Sequence, residues 1–224
     1  MRFTGPLLRR SLGPLVLALA CLASPAHAAR LDVTVQNADG EPVENAVVYA
    51  VPLGSDGAPV ASPGPVAIDQ INKEYVPYVT AVRVGTSVQF PNKDQIRHHV
   101  YSFSQVKKFE IPLYAGTPAE PIVFDKPGPV ALGCNIHDWM RAYVFVSESP
   151  YFAVTAADGK ATLDAPPGDY AVEVWHPELK SEPSATRQRA SLGGPGSALS
   201  FEIEQKRVWA PRRAPSRGGE GSYR

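Results

Sequence analysis

Prolines fall in every part of this chain, 23 of them among 224 residues. A proline inside a helix removes a hydrogen bond and clashes with the preceding turn. Long helical stretches are therefore excluded from most of the sequence, and short strands joined by turns remain. The residues between the prolines fit that reading. "VTAVRV", "TSVQFPN", "HHVYSFS", "EPIVFDKPG", "PVALGC" and "AYVFVS" are short apolar or alternating runs, and turn residues such as Gly85, Asn92-Lys93-Asp94, Gly116 and Pro127-Gly128 separate them. Strands at such spacing predict an all-β chain built as a sandwich or barrel. Hydrophobic content is 44% and the charged residues balance at 22 basic and 22 acidic. The first supports a packed core; the second gives no basic field for nucleic acid.

Residues 1–28 have a different character. Arg2, Arg9 and Arg10 precede the apolar stretch "LGPLVLALACLA", and "AHA" (Ala26 to Ala28) places small residues where a signal peptidase cuts. A secretory signal peptide cleaved after Ala28 is predicted, and with it a periplasmic protein. The stretch is short for a membrane anchor. The Arg9–Arg10 pair is a weak twin-arginine feature, and Cys21 is a lipidation candidate without the usual leucine upstream. Removal of the three arginines takes the basic count from 22 to 19 against 22 acidic residues, a formal charge of −3. It also removes Cys21, so Cys134 is the single cysteine left, with no partner for an internal disulfide. A free thiol in an oxidising compartment persists when it is buried or bound.

The ends of the chain differ from its middle. "LDVTVQ", the turn "NADGEP" and "NAVVYAVP" predict a hairpin. A Gly/Pro/Ser-rich linker spans Leu53 to Pro65. From Pro150, "YFAVTAADGKATLDAPPGDYAVEVWHP" predicts two strand pairs, around "ADGK" and "APPGDY", and "ALSFEIEQ" a last strand. The tail 210–224 is basic and Pro/Gly-rich, and disorder is predicted there. "VTVQNADGEPVENAVVYA" and "TAADGKATLDAPPGDYAVEV" resemble the two halves of a carboxypeptidase-regulatory or transthyretin-like β-sandwich. The resemblance implies a small sandwich split between 29–60 and 150–205, with a second domain, 66–147, inserted into it.

The inserted part carries the chemistry. "LGCNIHDWM" spaces Cys134, His137 and Met140 three residues apart, at the end of an apolar strand and in the turn before the next. Thiolate, imidazole and thioether are soft to borderline donors that suit copper. Two histidines, one cysteine and a weak axial methionine make an electron-transfer copper site. Zinc also takes Cys and His, but structural zinc rarely takes a thioether. A Cys–His nucleophile pair would need an oxyanion hole, for which the sequence has no signature. Another histidine must come from elsewhere. His98 and His99 stand together at the start of a strand, and adjacent strand residues point to opposite faces. Alternation does not choose between them, because Val100, Tyr101 and Phe103 are all apolar. His176 lies outside this region and reads as a packed or turn-edge residue. Trp139, between the ligands, either covers the site or belongs to a docking patch.

"YVPYVTAVRVGTSVQFPNKDQIRHHVYSFS" followed by "FDKPGPVALGCNIHDWM" resembles the cupredoxins of the plastocyanin/amicyanin type, over residues 66–147. Their G-x-x-V-x-F-x-N-x-D, H-N-V and C-x-x-H-x-x-M patterns are matched, except that His99 replaces the Asn of H-N-V. The resemblance implies a Greek-key sandwich holding copper on His98, Cys134, His137 and Met140. His99 is then either a residue that braces the cysteine loop, as the family Asn does, or an alternative ligand. It further implies a one-electron carrier, not an enzyme, which serves a redox partner protein. Two other functions use the same residues differently. The protein could deliver or sense copper without relaying electrons. Or the outer sandwich could be an adhesion or carbohydrate-binding module, for which Tyr151, Phe152 and Trp175 are candidate exposed aromatics.

Overall fold

The computed structural model describes residues 28–54, 63–118, 120–193 and 196–206. The predicted signal peptide, most of the linker and the basic tail lie outside these residues. Among the described residues every regular element is a strand, apart from a single 3-10 turn at Pro183–Thr186. The protein is all-β, as the prolines require.

The chain opens with β1 (Ala29–Asn37) and β2 (Val47–Pro52). Ten strands follow: β3 (Val66–Ala67), β4 (Asp69–Ile71), β5 (Glu74–Val76), β6 (Val79–Arg83), β7 (Thr86–Gln89), β8 (His98–Phe103), β9 (Lys108–Tyr114), β10 (Ile122–Phe124), β11 (Gly128–Cys134) and β12 (His137–Ser147). It returns through β13 (Tyr151–Val154), β14 (Lys160–Ala165), β15 (Gly168–Trp175), β16 (Gln188–Leu192) and β17 (Ser197–Ile203).

The outer strands make two sheets, β14-β1-β17 and β13-β2-β15-β16. They enclose one buried cluster, in which Leu31, Val33 and Val35 of β1 share a core with Val48 and Ala50 of β2 and Val172 and Val174 of β15. The predicted β1–β2 hairpin is not formed. The "NADGEP" turn does close, with Asn37 Oδ1 accepting from the N–H groups of Asp39 (3.0 Å) and Glu41 (2.9 Å). The chain then crosses to the other sheet. The reason is burial: β1 and β2 each have one apolar face, and opposite sheets let these faces cover each other. For the same reason β13 and β14 do not pair as predicted; β13 joins β2 and β14 joins β1.

The middle strands make a second pair of sheets, β10-β7-β3 and β6-β12-β11-β8-β9. Their core contains Ile68, Phe90, Val100, Phe124, Val130, Leu132, Val144 and Val146, together with Cys134 and Met140. The segment read as one strand at "VAIDQINKEYVP" is three short ones. β4 and β5 form a separate hairpin whose two-residue turn, Asn72-Lys73, has positive φ at both positions (56° and 62°). β9 and β16 are absent from the sequence reading. In β9, Pro112 obscures the alternation; it is tolerated because β9 is an edge strand.

Candidate metal centre

Strand parity aims three ligand-type side chains at one point. In β11, Val130, Leu132 and Cys134 face inward, and in β8 the fully buried His98 and Val100 do so with Ser102. β11 and β12 pair antiparallel from Gly128↔Val146 to Gly133↔Arg141. Continued by one step, that register would set Met140 opposite Cys134. Instead the ladder shifts, and His137 pairs with Cys134. The shift throws Asp138 outward, leaves Trp139 partly buried against the core, and lets both His137 and Met140 reach its end. The sequence reading placed His137 and Met140 in a turn; the structure makes them the start of the long strand β12.

The result is a cluster of His98, Cys134 and His137 whose ligand atoms all lie within 4.8 Å of one another. Cys134 Sγ is 3.8 Å from His137 Nδ1, and the two imidazole rings are 5.0 Å apart between centroids. Cys134 and Met140 are buried in one hydrophobic cluster, while His137 keeps some exposure.

The protonation states suit ligation. His98 Nε2 is 2.7 Å from Asp94 Oδ2. Burial works against an ionised Asp94, but hydrogen bonds from the Lys73 N–H, the His98 ring and the Asn72 N–H outweigh it and hold the carboxyl below its usual range. A carboxylate only accepts, so Nε2 carries a proton, and Nδ1 is the nitrogen left to offer a lone pair to a metal. That Nδ1 is buried and has no hydrogen-bond partner. Burial, aided by His98 and Lys73, pushes His137 below the ordinary histidine value, which favours the neutral ring a metal needs.

His99 lies on the opposite face of β8. Its Nε2 is 2.9 Å from Glu110 Oε1, and its ring packs on Tyr101 at 5.5 Å. It is outside the His–Cys–His cluster and does not brace the cysteine loop. Tyr75, which the sequence reading passed over, spans that gap. Its buried hydroxyl lies 3.0 Å from the carbonyls of both His99 and Gly133, and its single proton serves one at a time. Trp139 rests against His137, ring centroids 5.2 Å apart, and donates from Nε1 to the Lys73 carbonyl at 3.1 Å. Asp94 was also missed: it sits in a polar turn four residues before His98, where an aspartate needs no functional reason.

Comparison with known proteins gives the following. No family model and no curated protein matches the chain. Among solved structures, the chain is similar to a copper-containing nitrite reductase from Thermus scotoductus SA-01, at 27% identity and a TM-score of 0.37. That likeness covers 44% of this chain and 26% of the reductase, so the chain spans about a quarter of that protein. It is also similar to a purple cupredoxin from Nitrosopumilus maritimus (25% identity, TM-score 0.32), over 36% of this chain and 96% of that one. A variant amicyanin in the reduced state matches at 23% identity and a TM-score of 0.34, over 44% of this chain and 99% of the amicyanin.

The remaining candidates lie away from the cluster. His176 is buried, with Nδ1 3.1 Å from the Glu178 N–H and 3.2 Å from Gln205 Nε2. Trp175 is buried and stacks on Phe145 at 5.1 Å, Phe152 packs into the same cluster, and Tyr151 packs against Tyr170. The three aromatics do not form an exposed line.

Proposed function

We propose that this protein is a cupredoxin-type electron carrier, exported to the periplasm, which holds one copper ion on His98, Cys134, His137 and Met140. The observation that carries the reading is the convergence of two imidazoles and a thiol within 4.8 Å, one of them with a buried nitrogen that no protein group satisfies. Two imidazoles, a thiol and a nearby thioether fit copper better than a hard cation. Copper supplies a one-electron couple when bound. The chain's part is to keep the donors still. Cys134 and Met140 are held by the sandwich core, His98 by Asp94, and His137 by its pairing with Cys134 and the Trp139 ring. His137 is the partly exposed member and the point at which a redox partner protein would approach.

No observation favours the adhesion reading, since Trp175 is buried and Tyr151 and Phe152 are partly buried in packed clusters. A delivery protein would use the same donors but release its ion. The two are separated by loading the processed protein with one equivalent of copper, reducing it, and adding a strong Cu(I) chelator. Retention of copper through repeated reversible one-electron cycles is expected. Rapid loss to the chelator on reduction would replace the carrier with a delivery function.

A further inference from the structure

The two histidines of the cluster come from different strands, β8 and β12, yet their supports meet at one residue, Lys73. Asp94 accepts from His98 Nε2 at 2.7 Å. The same carboxylate accepts from the Asn72 N–H at 2.6 Å and the Lys73 N–H at 2.8 Å. The Lys73 carbonyl then accepts from Trp139 Nε1 at 3.1 Å, and the Trp139 ring lies 5.2 Å from that of His137. A continuous path thus runs from His98 through Asp94, the backbone N–H and carbonyl of Lys73, and Trp139 to His137.

The turn at its centre has an unusual backbone. Asn72 and Lys73 are both left-handed. Two-residue hairpin turns require that geometry, and glycine usually fills the second position. A lysine persists there only when its surroundings hold it. The bonds to Asp94 and Trp139 are what hold it.

We propose that Asp94 and Trp139, joined through the backbone of Lys73, are positioning residues that set the two imidazoles as a coupled pair. Asp94 fixes the tautomer and tilt of His98. Trp139 fixes the ring plane of His137. The path consists of protein groups alone, so the pair is arranged before any metal arrives, and a disturbance at one histidine reaches the other by this route as well as by the direct contact of the two rings, 5.0 Å between centroids. The inference rests on the reading of this cluster as a metal centre, but the coupling itself does not need the metal.

The test uses the processed protein and the variants Asp94→Asn, Trp139→Phe and their double, with Asp69→Asn as a control. Asp69 ties the same hairpin to Lys93 (2.6 Å) without touching the path. In metal-free protein, ring resonances of both histidines are followed by NMR. Asp94→Asn is expected to shift those of His137 as well as His98. Trp139→Phe, which keeps a ring but loses the donor, is expected to shift those of His98 as well as His137. The control should move neither. With copper, Asp94→Asn is expected to weaken binding about 10- to 100-fold, and the double variant less than the product of the two singles. Shifts confined to the histidine next to each substitution, with losses that multiply, would overturn the coupling and leave two independent fasteners of the hairpin. If Asp94→Asn does not fold, Trp139→Phe decides alone through the His98 resonances. Failure of the copper reading shows separately, as wild-type protein without a thiolate–copper absorption band.

Discussion

Cys134 depends on the residue before it. Gly133 pairs with Tyr101, and a Cβ at this glycine would stand 2.7 Å from Tyr101 Cζ and Oη. Tyr101 is itself held between His99 and Phe103, ring centroids 5.5 and 5.0 Å away, so it cannot swing aside freely. Gly133→Ala is expected to cost about 1–3 kcal/mol in denaturant unfolding, as overpacked sites do. Removing the tyrosine ring in the double variant Gly133→Ala/Tyr101→Ala should relieve the clash, so the two losses add to less than their sum. The same aromatic row explains what the sequence hid. Donor type and spacing drew attention to Cys134, His137 and Met140, and the structure brings the first two together with His98. His98 and His99 were not separable by pattern, because Tyr101 and Phe103 look like core residues. They lie on the outer face, where Phe103 is 77% exposed, and so the inward positions are those of His98, Val100 and Ser102. Asp94 showed only as a turn residue and the last position of the G-x-x-V-x-F-x-N-x-D pattern, and Tyr75 only as part of a strand; their roles appear once their hydrogen bonds are seen.

Between elements, the sequence spoke clearly about strands and poorly about their partners. Alternation marks a strand, but the same alternation serves a hairpin and a crossover between facing sheets. That is why β1 and β2 read as a hairpin and are not one. The crossover is fastened by the buried Thr155, whose Oγ1 donates to the Val43 carbonyl at 2.7 Å and accepts from the Ala46 N–H at 2.9 Å. Thr155→Val keeps the shape and leaves both backbone groups buried without this partner. It is expected to cost about 2–6 kcal/mol, since each of the two groups costs about 1–3 kcal/mol. A loss below about 0.5 kcal/mol in chemical denaturation would mean that the crossover is held by apolar packing alone. The ladder shift between Gly133 and Cys134 belongs to this scale too. It brings His137 to Cys134 without turning Met140 away, and no periodicity in the sequence marks it.

Across the molecule, the two sandwiches meet over an aromatic contact. Val47, Val79, Phe145 and Trp175 are buried there, with Tyr49, Tyr143 and Phe152 packed around them. Tyr49 packs tilted against Phe145 at 5.0 Å, and its hydroxyl donates to Glu173 at 2.6 Å; Arg187 pairs with the same carboxylate. Trp175→Ala is expected to cost about 3–5 kcal/mol, measured by denaturant unfolding, and to leave copper absorption unchanged because the metal cluster sits in the other core. An altered copper spectrum in that variant would show that the outer sandwich shapes the centre. The all-β character followed from the prolines and the short apolar runs between them, whereas this contact rests on residues scattered from Val47 to Arg187 that no local pattern connects. The central claim is that Cys134 binds copper as a thiolate beside His98 and His137. The most direct measurement is the visible absorption spectrum of the processed protein with one equivalent of Cu(II), set beside that of Cys134→Ser. An intense thiolate-to-copper band that ascorbate bleaches reversibly, and that the serine variant lacks, is the expected result. Cu(II) bound without that band, or a band that survives in Cys134→Ser, would contradict the account.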